Sequence, residues 1–95
     1  MRTLIHEYTM LARDGDGHLY RARCFGRERS DGTWIGWLEF MPRGEDGQVR
    51  ETDRETTQPN RLALRYWALG LDEVYLDGAL VRAHVASLES QPTEA

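Results

Sequence analysis

The hydrophobic pattern of the chain has a two-residue period in its first half and a helical period in its second. Leu4 to Ala12 reads as a strand. Leu19 to Arg29 is a clearer one, with Tyr20, Ala22, Cys24 and Gly26 on one face and Arg21, Arg23 and Arg27 on the other, interrupted by Phe25. Thr33 to Met41 is the strongest. Trp34, Leu38 and Phe40 point one way while Ile35, Trp37, Glu39 and Met41 point the other, so both faces carry large apolar groups, as a central strand requires. Pro42 ends it, and Val49 to Thr56, polar on both faces and containing threonine, reads as an edge strand. Asp14-Gly15-Asp16-Gly17, Ser30-Asp31-Gly32 and Gly44-Glu45-Asp46-Gly47 separate these segments, and Asp-Gly supplies the positive φ of tight hairpin turns. The first half is therefore an antiparallel meander of three to four strands.

Thr57-Gln58-Pro59-Asn60 reads as a helix start, with Thr57 as the cap and Pro59 tolerated in the first turn. Leu62, Tyr66 and Leu69 recur at helical spacing as the expected core stripe, Arg61 and Arg65 lie on the exposed side, and Gly70 is the stop. Leu71 to Leu76 reads as a short connector or strand. Asp77 to Leu88 fits either a helix, through Leu76, Leu80, Ala83 and Ser87, or a strand in which Ala79, Val81, Ala83 and Val85 alternate with Leu80, Arg82 and His84. Its length and its Ala, Leu and Arg content favour the helix. The expected architecture is one α+β domain over residues 1–88, the meander followed by a helix and a C-terminal helix or strand, with a disordered tail over 89–95.

Composition narrows the functions. A chain of 95 residues cannot divide its apolar side chains between two cores, and nine aromatic residues suffice to build one. Twelve basic against sixteen acidic side chains give a net charge of −4, which opposes binding to nucleic acid or an anionic membrane. All the basic side chains are arginine, a residue that forks onto carboxylates and phosphates as lysine cannot; a codon bias toward arginine explains the same count. The single Cys24 rules out an internal disulfide and leaves no zinc-ligand set, which fits a reducing cytoplasm. Neither a signal-peptide core nor an apolar run of membrane-spanning length is present in the sequence. No cofactor or metal is expected.

Three groups of residues carry candidate chemistry. Arg54, Thr56, Thr57, Asn60, Arg61 and Arg65 surround the second-half helix start, where free N–H groups and guanidinium groups suit a carboxylate or phosphate; pairing of Arg54 and Arg61 with Glu51, Asp53 and Glu55 is the competing reading. Arg21, Arg23, Arg27 and Arg29, with Tyr20, Phe25 and Trp37 nearby, suggest a stacking face for single-stranded nucleic acid, against which stands a solvated sheet face crossed by Glu39 and Glu51. Ile35, Trp37 and Met41, if uncovered, form an apolar patch for a homodimer. Cys24 with His6, His18 or His84 raises the question of a nucleophile, but its strand neighbours place it in the core. Asp14 to His18 opens like a calcium loop, yet Phe25 stands where such a loop needs Glu, so a turn is expected. No catalytic residue is assigned.

The segments Tyr20-Arg21-Ala22-Arg23, Asp31-Gly32-Thr33-Trp34-Ile35-Gly36-Trp37-Leu38-Glu39-Phe40, Thr56-Thr57-Gln58-Pro59-Asn60 and Tyr75-Leu76-Asp77-Gly78-Ala79-Leu80 carry a likeness. Over roughly residues 20 to 83 the chain resembles a group of small bacterial proteins of unknown function, which implies a single-domain cytosolic protein and no particular activity. In its β-β-β-α order and the Asp-Gly-aromatic start of a strand it is also similar to the HicB-type antitoxin domain, without a helix-turn-helix or ribbon-type extension for DNA. The expected function is a non-catalytic interaction module whose partner is a second copy or another protein. The alternative is an antitoxin-like or nucleic-acid-associated regulator using the arginine-rich strand.

Overall fold

The expected meander forms. The computed structural model describes residues 1–44 and 47–86, and in it β1 (Thr3–Arg13), β2 (Leu19–Glu28) and β3 (Trp34–Pro42) pair antiparallel in sequence order. The aspartates set the turns. The Asp14 carboxylate accepts from the Asp16 and His18 N–H groups, both at 2.9 Å, and the Asp31 carboxylate accepts from the Thr33 N–H and hydroxyl at 2.9 and 2.6 Å. Gly17 and Gly32 adopt φ of 84° and 88°, the left-handed backbone these hairpins need.

The edge strand expected at Val49 to Thr56 is broken in two. β4 (Arg50–Glu51) pairs with β3 at Glu39 and Phe40, and β5 (Thr56–Gln58) pairs with β3 from Trp34 to Gly36. Residues 52–55 leave the ladder between them. The Thr52 hydroxyl replaces a backbone acceptor by taking the Leu38 N–H at 3.0 Å, while the Leu38 and Gly36 carbonyls receive the N–H groups of Thr52 and Glu55. A buried hydroxyl thus satisfies the strand where the register slips.

Two helices follow, α1 (Arg61–Leu69) and α2 (Glu73–Arg82), and then β6 (His84–Val85), which pairs with β4. The segment Leu71 to Leu76 is therefore no strand: Asp72 caps α2 by accepting the Tyr75 N–H at 2.9 Å. Helix and strand each hold part of Asp77 to Leu88, the helix to Arg82 and β6 beyond it. The expected tail lies outside the described residues.

Both helices pack against β1, and α1 reaches β2 and β3 as well. Together they bury Tyr8, Tyr20, Ala22, Cys24, Leu38 and Phe40 against Leu64, Ala68, Leu76 and Leu80. The expected core stripe of α1 is on the wrong side: Leu62, Tyr66 and Leu69 are 59%, 66% and 47% exposed, and Leu64 and Ala68 are buried instead. The cause is a pair of facing glycines. Gly26 and Gly36 are cross-strand partners, and a Cβ on either would stand 2.5 Å from a methyl of Leu64. Only two missing side chains leave a seat for that leucine, and its seating fixes the rotation of α1. The Tyr8 hydroxyl completes the lock by donating to the Ala68 carbonyl at 2.7 Å.

Among the described residues no helix covers the opposite face of the sheet, yet Phe25, Ile35 and Trp37 are buried there. Charged side chains cover part of it. The Arg2 and Arg23 guanidinium carbons lie 4.0 and 5.1 Å from the Phe25 ring centre. Arg23 donates twice to one oxygen of the buried Glu39, at 3.0 and 2.6 Å, and Arg2 donates to the other at 3.1 Å and to the buried Glu51 at 3.5 Å. The arginine stems cover aromatic surface while their heads neutralise carboxylates that the sheet has withdrawn from water. The Arg23 side chain is 30% exposed, so the pair lies between a surface pair of about 0–1 kcal/mol and a buried pair whose breaking costs about 3–5 kcal/mol. In urea unfolding, Arg23→Ala is expected to lose about 2 kcal/mol, and the adjacent exposed Arg21→Ala to change stability by under about 0.5 kcal/mol. Equal effects of the two would show that Glu39 does not need its partner.

Candidate functional site

The strand-to-helix segment brings together only part of the expected anion site. Because β5 is a strand, Thr56 opposite Gly36 and Thr57 opposite Ile35 point to different faces of the sheet. Thr57 is not the helix cap. Asn60 is: its backbone is extended and its side-chain oxygen accepts the Ala63 N–H at 2.8 Å, so its capping capacity is used within the helix. The Thr56 hydroxyl accepts from the Gln58 amide at 2.7 Å, and Arg54, exposed in the loop after β4, already has a partner.

Arg61 and Arg65 do converge. One turn apart on α1, they line a cleft of about 330 Å³ with Ile5 and Leu62, between β1 and the outer side of the helix. The Arg61 guanidinium sits 5.8 Å from the Trp34 ring centre, which holds it near the start of the helix. No acidic residue occurs in α1, so this end of the helix layer is locally cationic in an acidic chain. Leu62, Tyr66 and Leu69 extend the apolar part of the surface along the helix.

The patch expected at Ile35, Trp37 and Met41 is not there. Ile35 and Trp37 have no exposed surface, Trp37 lying against the Phe25 ring that Arg2 and Arg23 cover, and Met41 alone is exposed at 38%. The same burial removes Trp37 as a platform for a nucleic-acid base. Of the strand arginines, Arg23 is committed to Glu39, Arg27 has a partner, Arg29 is half-buried, and Arg21 is exposed.

Other reactive groups are held in structural roles. Cys24 is buried, and burial pushes its thiol up to about 12, far from the range in which a thiolate forms at neutral pH. Asp14, Asp16 and His18 offer ligand atoms within 4.8 Å of one another, but Asp14 is taken up by N–H groups of its own turn and by the His18 ring at 3.2 Å. Glu55 was legible only as a surface partner for arginine. It ties the loop after β4 to α2, accepting from the Tyr75 hydroxyl and from Arg82, both at 2.5 Å. Burial, and then Glu55, push Tyr75 up to about 12. Nothing in the spacing of Glu55, Tyr75 and Arg82 marks this contact in the sequence.

Among the described residues no helix is long and apolar enough to cross a membrane. Compared with known proteins, the chain matches no family model, no curated protein and no solved structure.

The burial of Cys24 has a direct readout. Ellman's reagent is expected to leave the folded protein unmodified at mildly alkaline pH while reacting fully with the urea-unfolded chain. Rapid modification of the folded chain would mean that the thiol is accessible and the core assignment is wrong.

Proposed function

We propose that the protein is a non-catalytic interaction module that self-associates through the outward face of its helix layer. The observation that carries this reading is the row Leu62, Tyr66 and Leu69, exposed on α1 next to Arg61 and Arg65. Val74 and Val81, seven residues apart on α2, are 79% and 76% exposed and extend the apolar surface to the second helix. Charge selects a second copy as the occupant. α1 carries two arginines and no acid, whereas α2 begins with Asp72 and Glu73. A two-fold arrangement sets α1 of each protomer against α2 of its partner, so that each apolar row is covered and each cationic helix meets an acidic one. The buried thiol and the carboxylates spent on arginines and turns favour a binding role over catalysis.

Sedimentation velocity at micromolar and millimolar protein tests the reading. The expected result is a mass that rises toward twice that of the chain with concentration. Leu62→Glu and Tyr66→Glu, both at exposed positions, are expected to hold it at the monomer without lowering the melting temperature. A strict monomer at millimolar concentration, or dimers insensitive to both substitutions, would reject the helix face.

A further inference from the structure

The uncovered side of the sheet carries a second cleft, independent of the helix layer. It has a volume of about 540 Å³ and is lined by Glu7, Tyr8, Thr9, Leu11, Arg21 and Arg43. Its origin is an irregularity in β1. Glu7 pairs with Arg23 and Leu11 with Arg21, so Tyr8, Thr9 and Met10 stand opposite the single residue Ala22. Tyr8 turns into the core, where its hydroxyl is bonded to Ala68, Met10 packs against the same core, and Thr9 between them is exposed. Bulges of this kind often sit beside binding sites, because they re-aim side chains and release backbone groups from the ladder.

The charges around the cleft fit a particular ligand. Arg21 is paired across the sheet with both Leu11 and Met41, and Arg43 follows two residues after Met41, held by its N–H to the Leu19 carbonyl at 3.0 Å. Glu7 on β1, Arg21 on β2 and Arg43 just beyond the end of β3 thus line one cleft, and among the described residues none of the three is in an ion pair. This contrasts with Glu39 and Arg23 on the same face, which bind each other. One unpaired carboxylate and two unpaired guanidiniums beside the half-buried Leu11 complement a molecule with one ammonium, two carboxylates and a short methylene chain.

We propose that this cleft binds an acidic α-amino acid, the ammonium on Glu7 and the two carboxylates on Arg21 and Arg43. The bound ligand neutralises the net positive charge of the three side chains. Neither a simple dicarboxylate nor a neutral amino acid matches all three.

Amide-resolved NMR titration of the full chain with L-glutamate, glutarate and L-glutamine tests the assignment. Shifts are expected at Thr9, Leu11 and Arg21, with glutamate binding about tenfold more tightly than glutarate or glutamine. Glu7→Gln is expected to abolish the preference for glutamate over glutarate. Arg21→Ala and Arg43→Ala are expected to weaken glutamate binding about tenfold each with the melting temperature unchanged. Because the site lies across the sheet from α1, Tyr66→Glu is expected to leave it intact, which separates it from self-association. Absence of shifts with millimolar glutamate, equal binding of glutarate, or a preference that survives Glu7→Gln would overturn the proposal.

Discussion

The seating of Leu64 between Gly26 and Gly36 decides how the helix layer meets the sheet. A leucine lying over two bare backbones lets α1 approach β2 and β3 closely, and dispersion contacts accumulate only at such range. Once that side chain is engaged, the helix cannot rotate without leaving a void in its seat. Ala68 is then placed under the Tyr8 hydroxyl, and Leu62, Tyr66 and Leu69 are turned to solvent. The outward apolar row is thus a consequence of packing on the inward side.

The other face of the sheet solves a different problem with other means. The two described helices cover one face, and Phe25, Ile35 and Trp37 lie on the other. Arg2 and Arg23 cover part of that surface while Glu39 and Glu51 hold their charges. A buried ion network stabilises little in net terms, because desolvation offsets much of the attraction, but it is directional and so fixes the first residues of the chain against the middle of the sheet. Part of the arginine cluster on β2 is therefore structural. Arg21 and Arg43 line a cleft on one side of the sheet, and Arg61 and Arg65 line another on the helix side.

Much of the meander was legible because its determinants are local. Asp14 and Asp31 bond to backbone groups at most four residues away, and the alternation in β2 and β3 names their faces correctly. The rotation of α1 was not legible: seven of its nine residues are apolar, so the helical period is satisfied by more than one stripe, and the glycines that choose between them lie in other strands. The cap passed from Thr57 to Asn60 because β5 claims the threonine, a pairing that periodicity in three polar residues cannot show. The partial cover of the second face depends on Arg2, thirty-seven residues from Glu39. Of the expected anion site, only the one-turn spacing of Arg61 and Arg65 survived, since spacing within a helix is the part that sequence encodes directly.

A double-mutant cycle on Gly36 and Leu64 measures whether the leucine occupies the glycine seat. Leu64→Ala alone is expected to cost about 2–5 kcal/mol in urea unfolding, and Gly36→Ala alone about 1–3 kcal/mol because the new methyl meets the leucine. With Leu64 already truncated, only the Thr56 methyl at 3.2 Å still crowds the new Cβ, so Gly36→Ala should cost less than it does alone, giving a favourable coupling of about 1 kcal/mol or more. Costs that add within about 0.5 kcal/mol would mean that Leu64 does not occupy the glycine seat, and the orientation of α1 would have to be explained in another way.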